Sequence, residues 1–421
     1  MRNEDVSAMS KNLAIAPRLR FPDFRETEGW TTKRLKDTCE VNPANPGIPE
    51  VFAYIDLESV EAGELKNRKV LSRNEAPSRA QRLLRYGDVI FQIVRPYKRN
   101  NLHFKIDDGI QYVASTGYAQ LRANESEDFL FQSIQTDDFV DRVIVKCTGS
   151  SYPAINSSDL AEIPVPIPSS AEQQKIADCL SSIDELISAE ALKLDALKVH
   201  KKGLMQRLFP AEGETIPRLR FPEFRDAGEW KKKKISDVLM EAVRPLEMED
   251  DEEYSLVIVK RRYEGIVSRG KLQGKSIKVK SQFFLQKDDF LISKRQIVHC
   301  ACGLVPDEFD GAIVSNEYSV LRAKNGFCIK FFKYFCQQPV VGRSFLECSI
   351  GVVIEKMLFK INDWLKREFL FPSLDEQVRI ANHFSSIEEL IAAQDQMVNA
   401  LKTHKHGLMQ QLFPVMDEMQ T

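Results

Sequence analysis

At 421 residues the chain is too long for one ordinary core, so two to four domains are expected. Its 43% hydrophobic content is that of a soluble globular protein, and no apolar run approaches the roughly 20 residues of a membrane span. The formal net charge of −2 argues at face value against a nucleic-acid partner, but the charge is unevenly distributed along the chain.

The opening MRNEDVSAMSKNLAIAP mixes charges early and lacks an apolar segment followed by a small-residue cleavage site, so residues 1–16 read as a flexible tail, not a signal peptide. PRLRFPDF (Pro17 to Phe24) and Trp30 then form an arm, residues 17–30. Short β-rich runs such as DVIFQIV follow, separated by Gly, Asn and Asp turns, and predict a mixed α/β domain over 17–168. Between Leu65 and Lys105 stand eleven Lys/Arg against two acids, Glu75 and Asp88. Within that stretch RPYKRNN (Arg95 to Asn101) sets cations around a tyrosine, with amides and guanidinium groups able to read base edges.

IPVPIPSSAEQ supplies an extended lead-in and the cap candidates Ser169 and Ser170 for a helix over 169–210. Its apolar residues Ile176, Leu180, Ile183, Ile187, Leu194, Leu197, Leu204 and Leu208 step by three and four, and Pro210 ends it. Six residues later the arm returns as PRLRFPEF (Pro217 to Phe224) and Trp230, opening a second mixed domain over 211–372 with its arm at 217–230. EMEDDEE (Glu247 to Glu253) reads as a solvated loop that limits indiscriminate polyanion binding. Between Lys260 and Cys300 eleven Lys/Arg face three acids, and VKRRYEG (Val259 to Gly265) again surrounds a tyrosine with cations. SRGKLQGKSIKVK (Ser268 to Lys280) has the alternation of a β-ribbon with one basic face. Weaker echoes link the interiors: YGDVIF (Tyr86 to Phe91) with KDDFLI (Lys287 to Ile292), and VASTGYAQLR (Val113 to Arg122) with IVSNEYSVLR (Ile313 to Arg322).

FPSLDEQ, with Ser373 as cap, opens a second helix over 373–414, followed by a tail at 415–421. Its stripe Ile380, Phe384, Ile387, Ile391, Val398, Leu401, Leu408 and Leu412 matches the first at an offset of 204, and so do the polar interruptions, Glu190 with Gln394 and Lys201 with Lys405. Such a stripe reads as a coiled-coil seam with polar register pins; two unrelated amphipathic helices on separate domains are the alternative. The duplicated ending, HKKGLMQRLFP and HKHGLMQQLFP, leads each time to an arm or to what resembles the linker cut open. The reading is therefore an α+β chain with an internal pseudo-twofold repeat, close to a ring of two units.

Catalytic motifs are missing. The chain has no phosphate loop and no dinucleotide fingerprint. NPAN (Asn42 to Asn45) lacks the second proline and the aromatic of a base-flipping methyltransferase loop and reads as a turn, and PDEFD (Pro306 to Asp310) reads as a loop. The eight cysteines follow no zinc or disulfide pattern, which suits the cytoplasm. Cys300 and Cys302 beside His299 lack two further ligands, so buried thiols are expected and no metal. His200 and His404 suit packing or a partner better than acid-base work. Candidate DNA contacts are Arg82, Arg85, Arg95, Tyr97, Lys98 and Arg99 in the first copy, and Lys260, Arg261, Arg262, Tyr263, Lys275, Lys278, Lys294 and Arg295 in the second. Any one of these could sit on an ordinary solvated face; two matched patches in matched domains call for a common cause.

PRLRFP(D/E)F with its tryptophan, a variable domain, then IPVPIPSSAEQQKIADCLSSID and a long heptad helix ending HKKGLMQRLFP, all written twice, resembles the specificity subunit (HsdS) of type I restriction-modification systems. The second copy departs at REFLFP, which leaves the exit from its variable domain open. The resemblance implies two target recognition domains, each reading half of a split, asymmetric double-stranded DNA site, separated by two antiparallel spacer helices. It implies two methyltransferase subunits bringing S-adenosylmethionine, and restriction/translocase subunits bringing ATP and magnesium chemistry, with no cofactor on this chain. Geometry also favours antiparallel helices, since parallel ones would crowd both domains at one end; about 36 helical residues span roughly 54 Å, which suits half-sites about one duplex turn apart. A coiled-coil scaffold without DNA readout and a self-contained restriction enzyme are the competing readings.

Overall fold

The two copies of PRLRFP are explained by what their second arginine does. In the computed structural model, which describes residues 15–416, Arg20 reaches the start of the first long helix and donates through Nε and Nη2 to both oxygens of Glu172, at 2.8 and 2.7 Å. Arg220 does the same to Glu376 in the second copy, at 2.7 Å to each oxygen. Both carboxylates are almost fully buried and stand in a helix's first turn, where the positive end of the helix also favours them. Residues 1–14 and 417–421, most of the expected tails, lie outside the described residues.

The chain divides into two compact units. One combines residues up to Ala191 with those from Gln396 onward; the other is Leu192–Asp395. In the first, Thr31–Arg34 pairs antiparallel with Pro164–Ile167, so the variable segment leaves and returns on neighbouring strands. Pro164 and Pro166 are tolerated because this is a two-stranded pair with free edges. Trp30 lies edge-on to Phe129 and Phe413, each at 5.9 Å. Between these ends lie two four-stranded sheets. Asp88, buried, holds Arg122 through two hydrogen bonds of 2.9 Å.

The second unit repeats this plan. Lys231–Lys234 pairs with Glu368–Phe371, so the divergent REFLFP follows the same exit path as its counterpart. Trp230 packs on Phe209 and Phe331, at 6.0 and 6.1 Å. Its interior holds a four-stranded and a five-stranded sheet, and buried Asp289 binds Arg322 at 3.0 Å and Arg244 at 2.7 and 3.0 Å. The faint interior echoes thus mark a buried carboxylate–guanidinium pair kept in both copies.

The long helices run Ser170–Arg207 and Leu374–Leu412. Each stops short of its proline because the residue before a proline is pushed out of the helical region, and Phe209 and Phe413 turn into the cores instead. Ser169 and Ser373 cap the starts, their hydroxyls accepting from the Glu172 and Glu376 amides at 3.4 Å. Every residue of the two apolar stripes is buried or half-buried. In the first unit Ile176, Ala177 and Leu180 share a core with Met409, Leu412 and Phe413, while Asp184 accepts from Lys405 at 2.7 Å. Rising numbers on one helix segment meet falling numbers on the other. In the second unit Lys201 donates to Glu388 at 2.6 Å and Phe209 stacks on Phe384. The matched lysines therefore meet matched acids, 184 and 388.

Glu388 also accepts from Lys333 and Tyr334, at 2.6 and 3.0 Å. Burial works against its charge, but Lys333 and Lys201 outweigh burial and hold the carboxyl below its ordinary range. Glu388→Gln should cost about 1–3 kcal/mol of the second unit's stability in urea unfolding at neutral pH, since it strands two partly buried ammonium groups. The folded carboxyl keeps its charge to lower pH than the unfolded one, so the wild-type advantage is full above the usual carboxylate range and is lost as pH falls through the depressed value. A variant as stable as wild type at neutral pH would contradict this.

One sequence expectation is corrected. SRGKLQGKSIKVK is not a ribbon throughout: the strand is Ile266–Gln273, after which a 3-10 turn begins at Gly274, where a Cβ would collide with the Glu249 carbonyl. The strand's only cations are Arg269 and Lys271, and it is exposed on both sides from Ser268 onward. The acids of EMEDDEE are exposed, as a solvated segment's would be, and make surface ion pairs from Asp250 to Lys280, Asp251 to Lys275 and Glu253 to Lys271, at 3.0, 3.4 and 3.6 Å.

Candidate nucleic-acid interface

In the first unit RPYKRNN forms a 3-10 turn, Pro96–Lys98, between two arginines in the left-handed region, Arg95 at φ 55° and Arg99 at φ 53°. Non-glycine residues adopt this conformation at a cost, and such strain collects at functional surfaces. The turn is held from behind. The Arg95 amide donates to the Pro153 carbonyl at 2.7 Å, Val94 bridges to Ala154, and Asn101, fully buried, accepts from the Gln92 amide at 2.8 Å. The Arg95 guanidinium lies over the ring of Tyr152 at 4.1 Å. Tyr97, Tyr152 and Lys98 are exposed and Arg95 is half-buried, so this turn and its backing present two aromatic rings and one fully exposed cation outward.

The second unit places a 3-10 turn, Ile297–His299, at the equivalent point, with Cys300 left-handed at φ 59° where the first has Arg99. VKRRYEG folds against it as a tight turn: Arg262 and Tyr263 are left-handed, and their amides donate to the His299 and Cys300 carbonyls at 2.8 and 3.0 Å. Arg262 and Lys260 are exposed. Arg261 binds Gln296 and Glu355, both at 2.9 Å, and His299 lies 3.1 Å from Glu355.

Not every predicted contact faces outward. Arg99 is half-buried and binds Asp137 and the Gln135 carbonyl, at 2.5 and 3.1 Å, fixing the start of a helix. Tyr263 packs against the core, and burial pushes its hydroxyl pKa far up. Both side chains are engaged within the unit. Arg82 is half-buried, and desolvation lowers its pKa. Lys294 donates to the Asn316 carbonyl and Arg295 to Glu317, at 2.8 and 2.7 Å, yet Arg295 remains exposed. Arg85, Lys275 and Lys278 are exposed, Lys275 within reach of Asp251. Tyr152 escaped the sequence reading; the turn signal GSSYP ahead of a short bridged segment was its only trace.

Among the described residues no helix is long and apolar enough to cross a membrane, and no group of His, Cys, Asp and Glu is placed to hold a metal. All eight cysteines are free thiols; Cys302 is fully buried and Cys300 half-buried.

Residues 27–199 match the model of the type I restriction modification DNA specificity domain. The chain is 23% identical over 146 residues to the HindI specificity subunit of Haemophilus influenzae, covering 32% of this chain and 31% of that one. Against the MjaIX specificity subunit of Methanocaldococcus jannaschii it is 25% identical over 183 residues, 39% of this chain and 41% of that one. The chain thus spans less than half the length of these two curated relatives. Among solved structures, the type I S subunit of M. genitalium shares the fold over 95% of this chain and 99% of its own, with TM-score 0.56 and 13% identity. A chain from a type I R-M system covers 92% of this chain and 98% of its own, at TM-score 0.54 and 20% identity. Residues 27–199 thus carry a type I restriction modification DNA specificity domain, and the duplicated frame around them is similar to that of type I specificity subunits.

Proposed function

We propose that this chain is the non-catalytic, DNA-reading subunit of a type I restriction-modification complex. Each unit reads one half of a bipartite asymmetric site, and the two long helices, paired as an antiparallel coiled coil, set the distance between half-sites and dock two methyltransferase subunits. Target recognition domains at 17–168 and 211–372 and spacer helices at 169–210 and 373–414 are the corresponding parts. S-adenosylmethionine, ATP and magnesium chemistry belongs to the modification and restriction/translocase partners, in the cytoplasm where the DNA is. The observation that carries this reading is the matched pair of strained turns: at one frame position in both units a left-handed turn stands on a rigid backing, with exposed Lys98 on the first and, packed against the second, a segment that exposes Lys260 and Arg262.

Charge reversal tests it. Arg95→Glu with Lys98→Glu, or Lys260→Glu with Arg262→Glu, leaves the internally bound Arg99 and Arg261 alone. Each pair should weaken DNA binding by the reconstituted complex at least about tenfold near 200 mM salt, and the deficit should shrink near 50 mM, because released counterions drive such binding. Unchanged affinity at both concentrations would favour a scaffold without DNA readout. Cleavage or methylation by the chain alone would favour a self-contained enzyme.

A further inference from the structure

Behind the strained turn of each unit stands a loop that the frame holds in the same way, and the two loops differ in kind. In the first unit Thr148 bridges to Ala154, and the Ile155 amide donates to the Ile93 carbonyl at 3.0 Å. In the second, Ser349–Ile350 pairs with Leu358–Phe359, and the Phe359 amide donates to the Lys294 carbonyl at 2.9 Å. The first loop is short and carries Tyr152 beneath Arg95. The second is longer, and at its tip Val352, Val353 and Ile354 are 102%, 54% and 55% exposed. Three consecutive β-branched side chains in water are costly for a surface loop unless something covers them.

The surroundings say what does. The residue after the tip, Glu355, is clamped by Arg261 at 2.9 Å and lies 3.1 Å from His299, which ties the loop to the cationic turn. Arg262 and Lys260 on that turn, and Lys356 beside the tip, are exposed. An apolar tip on an anchored hairpin, ringed by cations, complements a polyanion that has apolar groups between its charges. Duplex DNA has that pattern: phosphates flank grooves in which the thymine C5-methyl is the apolar feature. Val and Ile are stiff at χ1, so the tip meets such a surface with little further ordering.

We propose that Val352, Val353 and Ile354 are specificity determinants of the second unit, contacting thymine methyl groups in its half-site, while Tyr152 and Arg95 occupy the corresponding place in the first. This rests on the DNA-reading function proposed above. The test compares the complex of the full chain and its methyltransferase partner with the triple variant Val352→Ser, Val353→Ser, Ile354→Ser, which alters only exposed side chains. Methylated sites would be sequenced for both, and affinities measured on the wild-type site and on the same site with deoxyuridine for thymine in one half. The variant should keep one half-site and the spacer intact while relaxing one or two A·T positions of the other, by about five- to tenfold. Deoxyuridine in that half should weaken the wild type by a similar factor and leave the variant unmoved. An unchanged motif, a relaxed half-site without A·T pairs, or a wild type indifferent to deoxyuridine would each overturn the assignment. So would a variant that loses its methyltransferase partner but keeps its DNA preference, which would make the tip a protein contact. A wild-type complex with no sequence preference would overturn the DNA-reading function itself, a result distinct from all of these.

Discussion

Inserting one helical turn of four residues near Lys193, with a matching turn near Gln396, should lengthen the non-specific spacer of the methylated site by one to two base pairs while both half-site sequences survive. Four residues add about 6 Å of helix, and successive base pairs are about 3.4 Å apart. These positions lie where each long helix passes from one compact unit to the other, clear of the Lys405–Asp184 and Lys201–Glu388 pairs that register the helix segments within each unit. Affinity should fall somewhat, because each added pair also rotates the second half-site about the duplex axis. Methylome sequencing of cells carrying the variant complex reads the result directly. A spacer of unchanged length, or altered half-site bases, would mean that the helices are not the ruler.

Truncating the repeated Phe-Pro ending should be the most damaging single change to stability. Phe209 is 2% exposed and meets the rings of Trp230, Phe331, Phe335 and Phe384; Phe413 is 5% exposed and meets Trp30 and Phe129. Removing a buried phenylalanine costs about 3–5 kcal/mol through lost transfer energy and the cavity left behind. Phe209→Ala should stand at the upper end of that range, since its ring has more aromatic neighbours, and should act on the second unit; Phe413→Ala should act on the first. Hydrogen exchange, resolved by segment, separates the two. Losses under 1 kcal/mol, or equal deprotection of both units by either change, would show that these rings do not close their cores.

The frame was legible in the sequence because its parts are written twice and bind one another. PRLRFP and the helix start share a buried ion pair, the Phe-Pro ending and the arm tryptophan share a core, and the coincident lysines of the stripes meet coincident acids. Repetition at a fixed offset exposes long-range partners that propensity cannot. The interior was less legible, since sheet order such as Lys69–Ser72 beside Val51–Ile55 beside Tyr112–Ser115 depends on non-local pairing. At the candidate interface, charge density picked out two turns but not the direction of each side chain. Arg99 and Tyr263 sit in the same short words as exposed Lys98 and Arg262, and only their tertiary partners, Asp137 for the one and the core for the other, hold them inward. The tip around Val352 was missed for the opposite reason: a run such as IGVVI reads as core, and its hairpin partner gives no signal of its own.

The division of the chain also sets an order of assembly. The second unit is one continuous stretch, Leu192–Asp395, whereas the first is completed only by residues from Gln396 onward. During synthesis from the N-terminus, at roughly 5–20 residues per second, every residue of the second unit has been joined before the last wall of the first exists. Until Met409, Leu412 and Phe413 arrive, Trp30, Phe129 and Leu180 lack part of their covering. The first unit made is therefore the last to close, and a ribosome stalled just before Gln396 would release a chain with a finished second half and an open, aggregation-prone first half.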